Sequence, residues 1–383
     1  MSTSVELDPL RTRLVALGRP PTAHDVAEAM RAEGRLVTDA VLVDTVEALR
    51  RHSVGAGPLE PLLRLPGVTD VLVNGPDQVL LDRGAGLEPA DVAFGSDGEV
   101  RALAQRLAAT VGRRLDDASP FVDARLPDGT RLHAVLATVA QPGTCLSLRV
   151  PARRGWGLED FVASGAMGPR AEALLRRLVE ARLAFLVSGG TGSGKTTLLS
   201  ALLALVPVDQ RIVVAEDSRE LDPAHPHVVR LEGRPANAEG VGALTLTELV
   251  RQALRMRPDR LVVGEVRGGE ICDLLRALNT GHEGGCGTVH ANSAEDVPAR
   301  LEALGALGGL DRAALHAQIG SALDVVLHIR RDGAGVRRLA EVHVVVRDET
   351  SGLTRTVPAV TFDTSGRAHL GPGSGRLERL LDR

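Results

Sequence analysis

One short segment constrains this chain more than any other, a glycine-rich turn placed after an apolar run and before a stretch of helical pattern. The apolar run is Leu183 to Val187. Glycines in such a turn let successive backbone N–H groups point at an anion, and the N-terminus of the following helix adds partial positive charge. This order of strand, turn and helix predicts a phosphate-binding loop. The turn consists of Gly189, Gly190, Thr191, Gly192, Ser193, Gly194, Lys195 and Thr196.

Lys195 is the only lysine in a chain with 45 Lys and Arg residues. An ammonium on a flexible stem can reach between the terminal phosphates of a nucleotide, whereas a planar guanidinium would crowd the loop. In this interpretation Thr196 ligates Mg²⁺ and Thr197 stands behind it. The loop therefore predicts a site for ATP and Mg²⁺. The alternative is a glycine-rich turn that only caps a helix.

Length and composition predict a folded protein of two or three domains, since the chain has 383 residues, 44% of them hydrophobic. We find no run of the roughly 18 apolar residues that a membrane-spanning helix needs, and no signal pattern at the N-terminus. The three cysteines cannot pair completely, which favours a reducing compartment. We expect a cytoplasmic protein whose contact with a membrane is peripheral.

The net charge of −4 and an aromatic content of 2% argue against a nucleic-acid partner. An acidic balance offers no global attraction to phosphate backbones, and few rings are available on which bases could stack. We therefore expect no specific nucleic-acid binding.

Hydrophobic periodicity divides the chain into five regions. Residues 1–55 read as short amphipathic helices, and residues 56–150 as short strands with one helix, an α+β domain. Residues 151–169 are predicted as a linker. Between 170 and 330, strand and helix patterns alternate, which indicates an α/β domain with a mainly parallel sheet and helices on both faces. Residues 331–383 are predicted as strands followed by a flexible glycine-rich tail.

Two carboxylates directly follow apolar strands of the predicted α/β domain. Glu216 comes after the run that begins at Arg211, and Glu265 comes after Leu261 to Gly264. Ligands of open α/β sheets bind at the carboxyl ends of the strands. Both are candidates for the acids that a hydrolase needs to orient Mg²⁺ and to take a proton from water. The alternative is that they are ordinary solvated loop acids.

Two histidines bracket a second glycine-rich turn and a short strand. His290 is expected at the same sheet edge as Glu265, within reach of a γ-phosphate, although a structural histidine is an equal alternative. A zinc site built from Cys272, Cys286 and the histidines fits the spacing poorly.

Together these segments resemble the secretion-superfamily ATPases, most closely the Tad/CpaF-type pilus-assembly ATPases. The likeness covers roughly residues 50–345. It rests on four further stretches, Gly57 to Leu63, Val73 to Pro76, Asp123 to Arg131, and Arg255 to Asn292.

The resemblance implies a RecA-like P-loop ATPase core preceded by a smaller α+β, PAS-like domain. It identifies Gly189 to Thr196 as Walker A, Glu216 to Glu220 as an acidic box, Gly264-Glu265 as an atypical Walker B, and His282 to His290 as a histidine box. By the same resemblance Glu265 is the general base or water-positioner. Mg²⁺ is then held mainly by Thr196, with help from Glu216.

The resemblance also implies phosphate-contacting arginines, Arg131 and Arg149 of the smaller domain and Arg267 of the core. Surface ion pairs are the alternative for each. It further implies a homo-oligomeric ring, a hexamer, at the inner face of the cell membrane, where ATP hydrolysis drives an inner-membrane platform protein. A conjugation-type DNA translocase and a low-turnover nucleotide-binding regulatory protein are the rival functions.

Overall fold

The computed structural model describes residues 22–34, 37–38, 41–42, 55–84, 86–151, 155–234, 236, 241–332 and 335–383. The chain divides into two compact units, Met1–Arg153 and Arg154–Arg383. Within the predicted N-terminal helical region, helix α1 (Ala23–Ala32) begins after Thr22, which forms a capping box with Asp25. Most of that region lies outside the described residues.

The first unit is built on a six-stranded antiparallel sheet. Its apolar residues alternate along the strands, so one face packs on the core beneath helices α2 and α3. The helices are α2 (Glu60–Leu63), which follows a 3₁₀ turn at Gly57–Leu59, and α3 (Asp97–Thr110). The strands are β1 (Asp70–Asn74), β2 (Val79–Asp82), β3 (Leu87–Pro89), β4 (Phe121–Arg125), β5 (Arg131–Val135) and β6 (Cys145–Arg149), in the sheet order β3-β2-β1-β6-β5-β4.

The second unit contains a nine-stranded mixed sheet, which confirms the α/β class. Its strands are β7 (Phe185–Gly189), β8 (Ile212–Glu216), β9 (Val228–Glu232), β10 (Arg260–Val266), β11 (Cys286–His290), β12 (Val325–Arg331), β13 (Arg337–Arg347), β14 (Thr354–Phe362) and β15 (Ala368–Leu370). They follow the order β15-β14-β13-β12-β7-β11-β10-β8-β9. The strands from β12 to β9 run parallel, and β13 to β15 are antiparallel.

Helices cover both faces of this sheet. One core packs under α4 (Leu158–Ala163), α5 (Pro169–Glu180), α6 (Lys195–Leu203) and α11 (Ser374–Leu381). The other packs under α7 (Leu246–Leu254), α8 (Glu270–Leu278), α9 (Val297–Leu307) and α10 (Arg312–Ala322). Strands β7 and β8 are buried along their whole length, which explains their continuous apolar runs. Among the described helices, none combines the length and apolar content needed to cross a bilayer.

The structure corrects the prediction for the linker and the C-terminal region. Strand β12 crosses the predicted boundary at residue 330, and β13 to β15 extend the same sheet. The supposedly flexible glycine-rich stretch contains β15 and the start of α11, whose Leu377 and Leu380 are buried. The predicted linker contains α4, which buries Leu158 and Phe161 in the core. Two or three apolar residues among glycines were enough to anchor these short elements.

Gly264 is required by the close packing of strands β8 and β10. Ala215 pairs with Val263, so Glu216 and Gly264 lie side by side. A β-carbon on Gly264 would lie 2.5 Å from Cγ and 2.8 Å from Oε1 of Glu216. The Glu216 side chain, 4% exposed, therefore occupies the space that a side chain at position 264 would need.

We predict that Gly264→Ala lowers the free energy of unfolding by about 1–3 kcal/mol, because the added methyl overpacks a filled core. Denaturant unfolding measures the loss. Adding Glu216→Ala removes the obstructing side chain, so the double variant should recover part of it. Gly98→Ala is the control, since a β-carbon there meets only Ser96 Oγ at 3.6 Å, in helix α3. Equal losses in both backgrounds would contradict the packing argument.

Candidate functional site

The glycine loop joins the central strand β7 to helix α6 in the predicted order. The strand ends at Gly189, and Gly194, with a φ of 99°, precedes the first helical residue, Lys195. A β-carbon on Gly189 would collide with the carbonyl oxygen of Ile329 on β12, so only glycine fits there. The first N–H groups of α6 have no acceptor within the helix. The loop thus has the geometry of an anion-binding turn and is held tightly against its neighbouring strand.

The Lys195 side chain lies back along the loop and is 6% exposed. Its Nζ donates to the carbonyl oxygens of Gly189 and Gly190, at 3.0 and 2.8 Å. A third contact, 3.3 Å long, joins Nζ to Nδ1 of His290. Burial lowers the pKa of Lys195, and the nearby carboxylates of Glu265 and Glu220 oppose this. All three ammonium hydrogens are engaged within the site.

His290 connects Lys195 to Glu265. Its Nε2 lies 3.0 Å from Oε1 of Glu265. An ammonium can only donate, so Nδ1 must accept from Lys195, and Nε2 then carries the proton that is donated to Glu265. Burial and the Lys195 charge lower the pKa of His290, which agrees with a neutral ring in this tautomer.

Glu265 is held by a cation as well as by the histidine. Arg267 Nη2 donates to Oε2 of Glu265 at 2.7 Å. Burial disfavours the Glu265 anion, but the hydrogen bond and charge of Arg267, with His290 and Lys195 nearby, outweigh it and lower the pKa of Glu265. Glu265 is therefore ionised at neutral pH and fixed in position.

Glu216 occupies a different environment, beneath the acidic box. Its Oε1 accepts the N–H groups of Glu220 and Leu221, both at 3.0 Å. Its Oε2 is buried and has no hydrogen-bond partner among the described residues. Burial raises the pKa of Glu216 to about 7, against the opposing effect of those two N–H groups. Above it, Thr196 Oγ1 donates to Oε2 of Glu220 at 3.4 Å.

The structure thus brings most of the predicted core residues together at the carboxyl ends of β7, β8, β10 and β11. Thr197 follows on α6 and is partly buried. His282 does not join them, because its Nδ1 contacts the carbonyl of Ala277. In the part of the chain that is described, no three His, Cys, Asp or Glu side chains form a metal-binding group, so the zinc alternative has no support.

The two predicted arginines of the first unit form exposed ion pairs within that unit. Arg131 Nη2 lies 3.0 Å from Asp123, and Arg149 Nε lies 3.2 Å from Asp70. Arg131 and Arg149 are direct cross-strand neighbours on β5 and β6. Their assignment to phosphate remains a prediction.

One supporting residue escaped the sequence analysis. Glu270, 5% exposed, accepts the backbone N–H groups of Arg267 and Gly268 at 2.6 and 2.7 Å. It holds the turn that carries Arg267 toward Glu265. The available signal was an acid at the first position of a helix after two glycines, where carboxylates commonly bind free N–H groups.

Comparison with known proteins shows the family of this chain. The family model described as type II/IV secretion system protein matches residues 52–355. A putative conjugal transfer protein of Mycobacterium tuberculosis is 57% identical over 320 residues, covering 82% of this chain and 91% of the relative. The type IV secretion system protein PtlH of Bordetella pertussis is 36% identical over 308 residues, covering 73% and 91%.

A solved structure supports the fold. The X-ray structure of the ATPase DotB of Yersinia pseudotuberculosis aligns with a TM-score of 0.53 at 17% identity, covering 91% of this chain and 87% of that one. The relatives named above are conjugal-transfer and type IV secretion proteins, so they support the wider superfamily rather than its Tad/CpaF branch. The matched segment includes the glycine loop and every site residue described above, and this chain belongs to the type II/IV secretion system protein family.

Proposed function

We propose that this chain hydrolyses ATP as the motor subunit of a type IV or related secretion machine. The observation that carries the proposal is the continuous path from Lys195 through His290 to Glu265 beside the glycine loop. One imidazole separates the loop ammonium from an ionised carboxylate. This arrangement supports phosphoryl transfer to water, in which a cation binds the phosphates and another group positions the attacking water.

Binding exchanges one set of partners for another. The Lys195 hydrogens that now contact two loop carbonyls and His290 are the ones that a β- or γ-phosphate would accept. Charge-assisted bonds to phosphate are stronger than bonds to neutral carbonyls, which favours the exchange. When Lys195 turns to phosphate, Nδ1 of His290 loses its donor. Phosphate binding thereby changes the hydrogen bonding of His290, the residue that orients Glu265.

Glu265 is the group that takes the proton from the attacking water. A carboxylate offers about four acceptor positions, so it can accept from water while it keeps Arg267 and His290. The two donors fix the orientation of the carboxylate and lower its basicity. Proton transfer from water therefore has a smaller driving force, but the acceptor is already in position. General-base action of this kind contributes about 10²- to 10⁴-fold to a rate.

Family membership implies Mg²⁺, and the residues present fit it. Magnesium prefers oxygen ligands and commonly takes only one or two from the protein, with phosphates and water supplying the others. Thr196 Oγ1 is an oxygen ligand at the loop, and Oε2 of Glu216, at the end of β8, has no hydrogen-bond partner among the described residues. When bound, the ion neutralises charge on the phosphates. These two residues would hold it.

The same proposal includes a role for the first unit and the assembly of several copies. Arg131 and Arg149 contact the γ-phosphate, so its loss on hydrolysis changes what the first unit binds. Six copies form a ring at the inner face of the cell membrane and act on an inner-membrane platform protein. Both arginines form exposed ion pairs. Such pairs are weak and exchange readily for phosphate, which supports the proposed contact with the γ-phosphate.

A second candidate function concerns the machine that the motor drives, which is either a Tad-type pilus or a conjugal-transfer machine. The 57% identity to a putative conjugal transfer protein favours the latter. Direct gripping of DNA by this chain is disfavoured by the net charge of −4 and the scarce aromatic residues. Phosphate release measured with and without single- and double-stranded DNA tests direct DNA binding, because a motor that binds DNA is stimulated by it and a motor driven by a protein partner is not.

We predict that Lys195→Ala abolishes ATP binding, because it removes the ammonium from the loop. Titration calorimetry with Mg·ATP measures the affinity. Lys195→Arg is the matched variant, since it keeps the charge but brings a planar group that does not fit the buried position. Retention of wild-type affinity in both variants would place the nucleotide elsewhere.

We predict that Glu265→Gln binds ATP but hydrolyses it about 10²- to 10⁴-fold more slowly, since an amide cannot take a proton from water. Steady-state phosphate release and nucleotide affinity are measured in parallel. Glu180→Gln, at the exposed end of α5, is the control and should retain full activity. Turnover at the wild-type rate in Glu265→Gln would remove that residue from its role.

A third prediction follows from Glu216 in the nucleotide-free protein. Its carboxyl keeps its proton to about pH 7 when folded, against an ordinary value of 4.5, so the folded state binds more protons between these values. The free energy of unfolding therefore falls as pH rises through this window, by up to about 3 kcal/mol from Glu216. Denaturant unfolding from pH 4.5 to 8 should show a shallower decline in Glu216→Gln. Parallel profiles would contradict it.

A further inference from the structure

We infer that Arg331, at the end of β12, and Arg337, at the start of β13, line the part of the nucleotide site that receives the nucleoside end of ATP. This inference rests on the proposed function and extends it, because it assigns recognition of the base and ribose to a region for which the sequence suggested no role. The ligand class is a purine nucleoside triphosphate.

The two arginines flank the glycine loop. Strand β12 runs parallel to β7, with His328 beside Ser188, so the residues that follow His328 pass alongside the loop itself. An ideal β-carbon on Gly192 would lie 3.8 Å from Nη2 of Arg331. One on Gly194 would lie 3.4 Å from Cδ of Arg337. Both residues are exposed, and both lie next to the glycine loop that is proposed to bind phosphate.

The hairpin concentrates positive charge at this place. Arg331 pairs directly with Arg337 in the antiparallel register, and the next pair is Arg330 with Arg338. Like charges opposite one another destabilise a sheet. Asp332 offsets part of this by accepting from Arg338 Nε at 2.7 Å.

The sheet order indicates which end of the nucleotide meets these arginines. Glu265 and His290 lie at the ends of β10 and β11, on one side of β7, and β12 lies on the other. The γ-phosphate must lie near Glu265, because water attacks there. The phosphate chain then follows the loop away from β11. Its nucleoside end leaves the loop on the side of β12, where Arg331 and Arg337 stand.

Guanidinium chemistry suits that end. Its plane stacks on a purine ring, and its N–H groups donate to ribose oxygens. Tyrosine is absent from the sequence and tryptophan occurs once, so arginine is the abundant planar side chain available for stacking.

The test compares Mg·ATP with Mg·tripolyphosphate, which carries the phosphates without a nucleoside. Calorimetry is run on the wild-type protein, on Arg331→Ala, on Arg337→Ala and on the double variant. We expect each single substitution to raise the Kd for ATP about fivefold, and the double about tenfold or more, with the Kd for tripolyphosphate unchanged. Arg330→Ala is the matched control, because alternation along β12 turns its side chain to the opposite face.

Lysine substitutions keep the test decisive if an alanine variant fails to fold. Arg331→Lys and Arg337→Lys retain the charge but lose the plane, so ATP affinity should fall while tripolyphosphate affinity stays. Unchanged ATP affinity, or equal weakening of both ligands, overturns the inference while leaving the proposed function standing. Wild-type protein that binds neither ligand overturns both.

Discussion

The site depends on how Lys195 is held before any phosphate arrives. A buried ammonium is costly unless all of its hydrogens find acceptors, and here two loop carbonyls and one imidazole supply them. The same contacts fix the tautomer of His290, and through it the orientation of Glu265. A single cation thus connects the glycine loop with the carboxylate, and the adjacent strands β7, β11 and β10 bring the three side chains together.

The two carboxylates of the site are tuned in opposite directions by the same fold. Glu265 is surrounded by Arg267, His290 and Lys195, so its anion is favoured in spite of burial. Glu216 accepts hydrogen bonds from two backbone N–H groups, and the effect of burial on its pKa prevails over theirs. This separation gives one acid that is charged at neutral pH and one whose charge changes near neutral pH, a division that would suit a base and a metal ligand.

The local parts of this structure could be predicted from the sequence, and the long-range parts could not. The strand, the glycine loop and the following helix are encoded within twenty residues, so Gly189 to Thr196 was identified directly. Contact between Lys195 and His290 requires that β11 lie beside β7, although β11 follows it by almost a hundred residues. The C-terminal strands were predicted, but the segment after them was misjudged because glycines between β14 and α11 resembled a flexible tail, while a few leucines of α11 anchor it in the core. Glu270 was missed because its partners are backbone groups, and only its position after two glycines at the start of a helix indicates them.

The packing of Glu216 over Gly264 also limits how such a chain can vary. Most residue positions tolerate change independently, but these two share one volume. A chain with a larger residue than glycine at position 264 on β10 needs a shorter side chain at position 216 on β8. The acid at the sheet edge would then come from a different strand. The choice between the two arrangements is therefore a joint one, made by a pair of positions 48 residues apart in the chain.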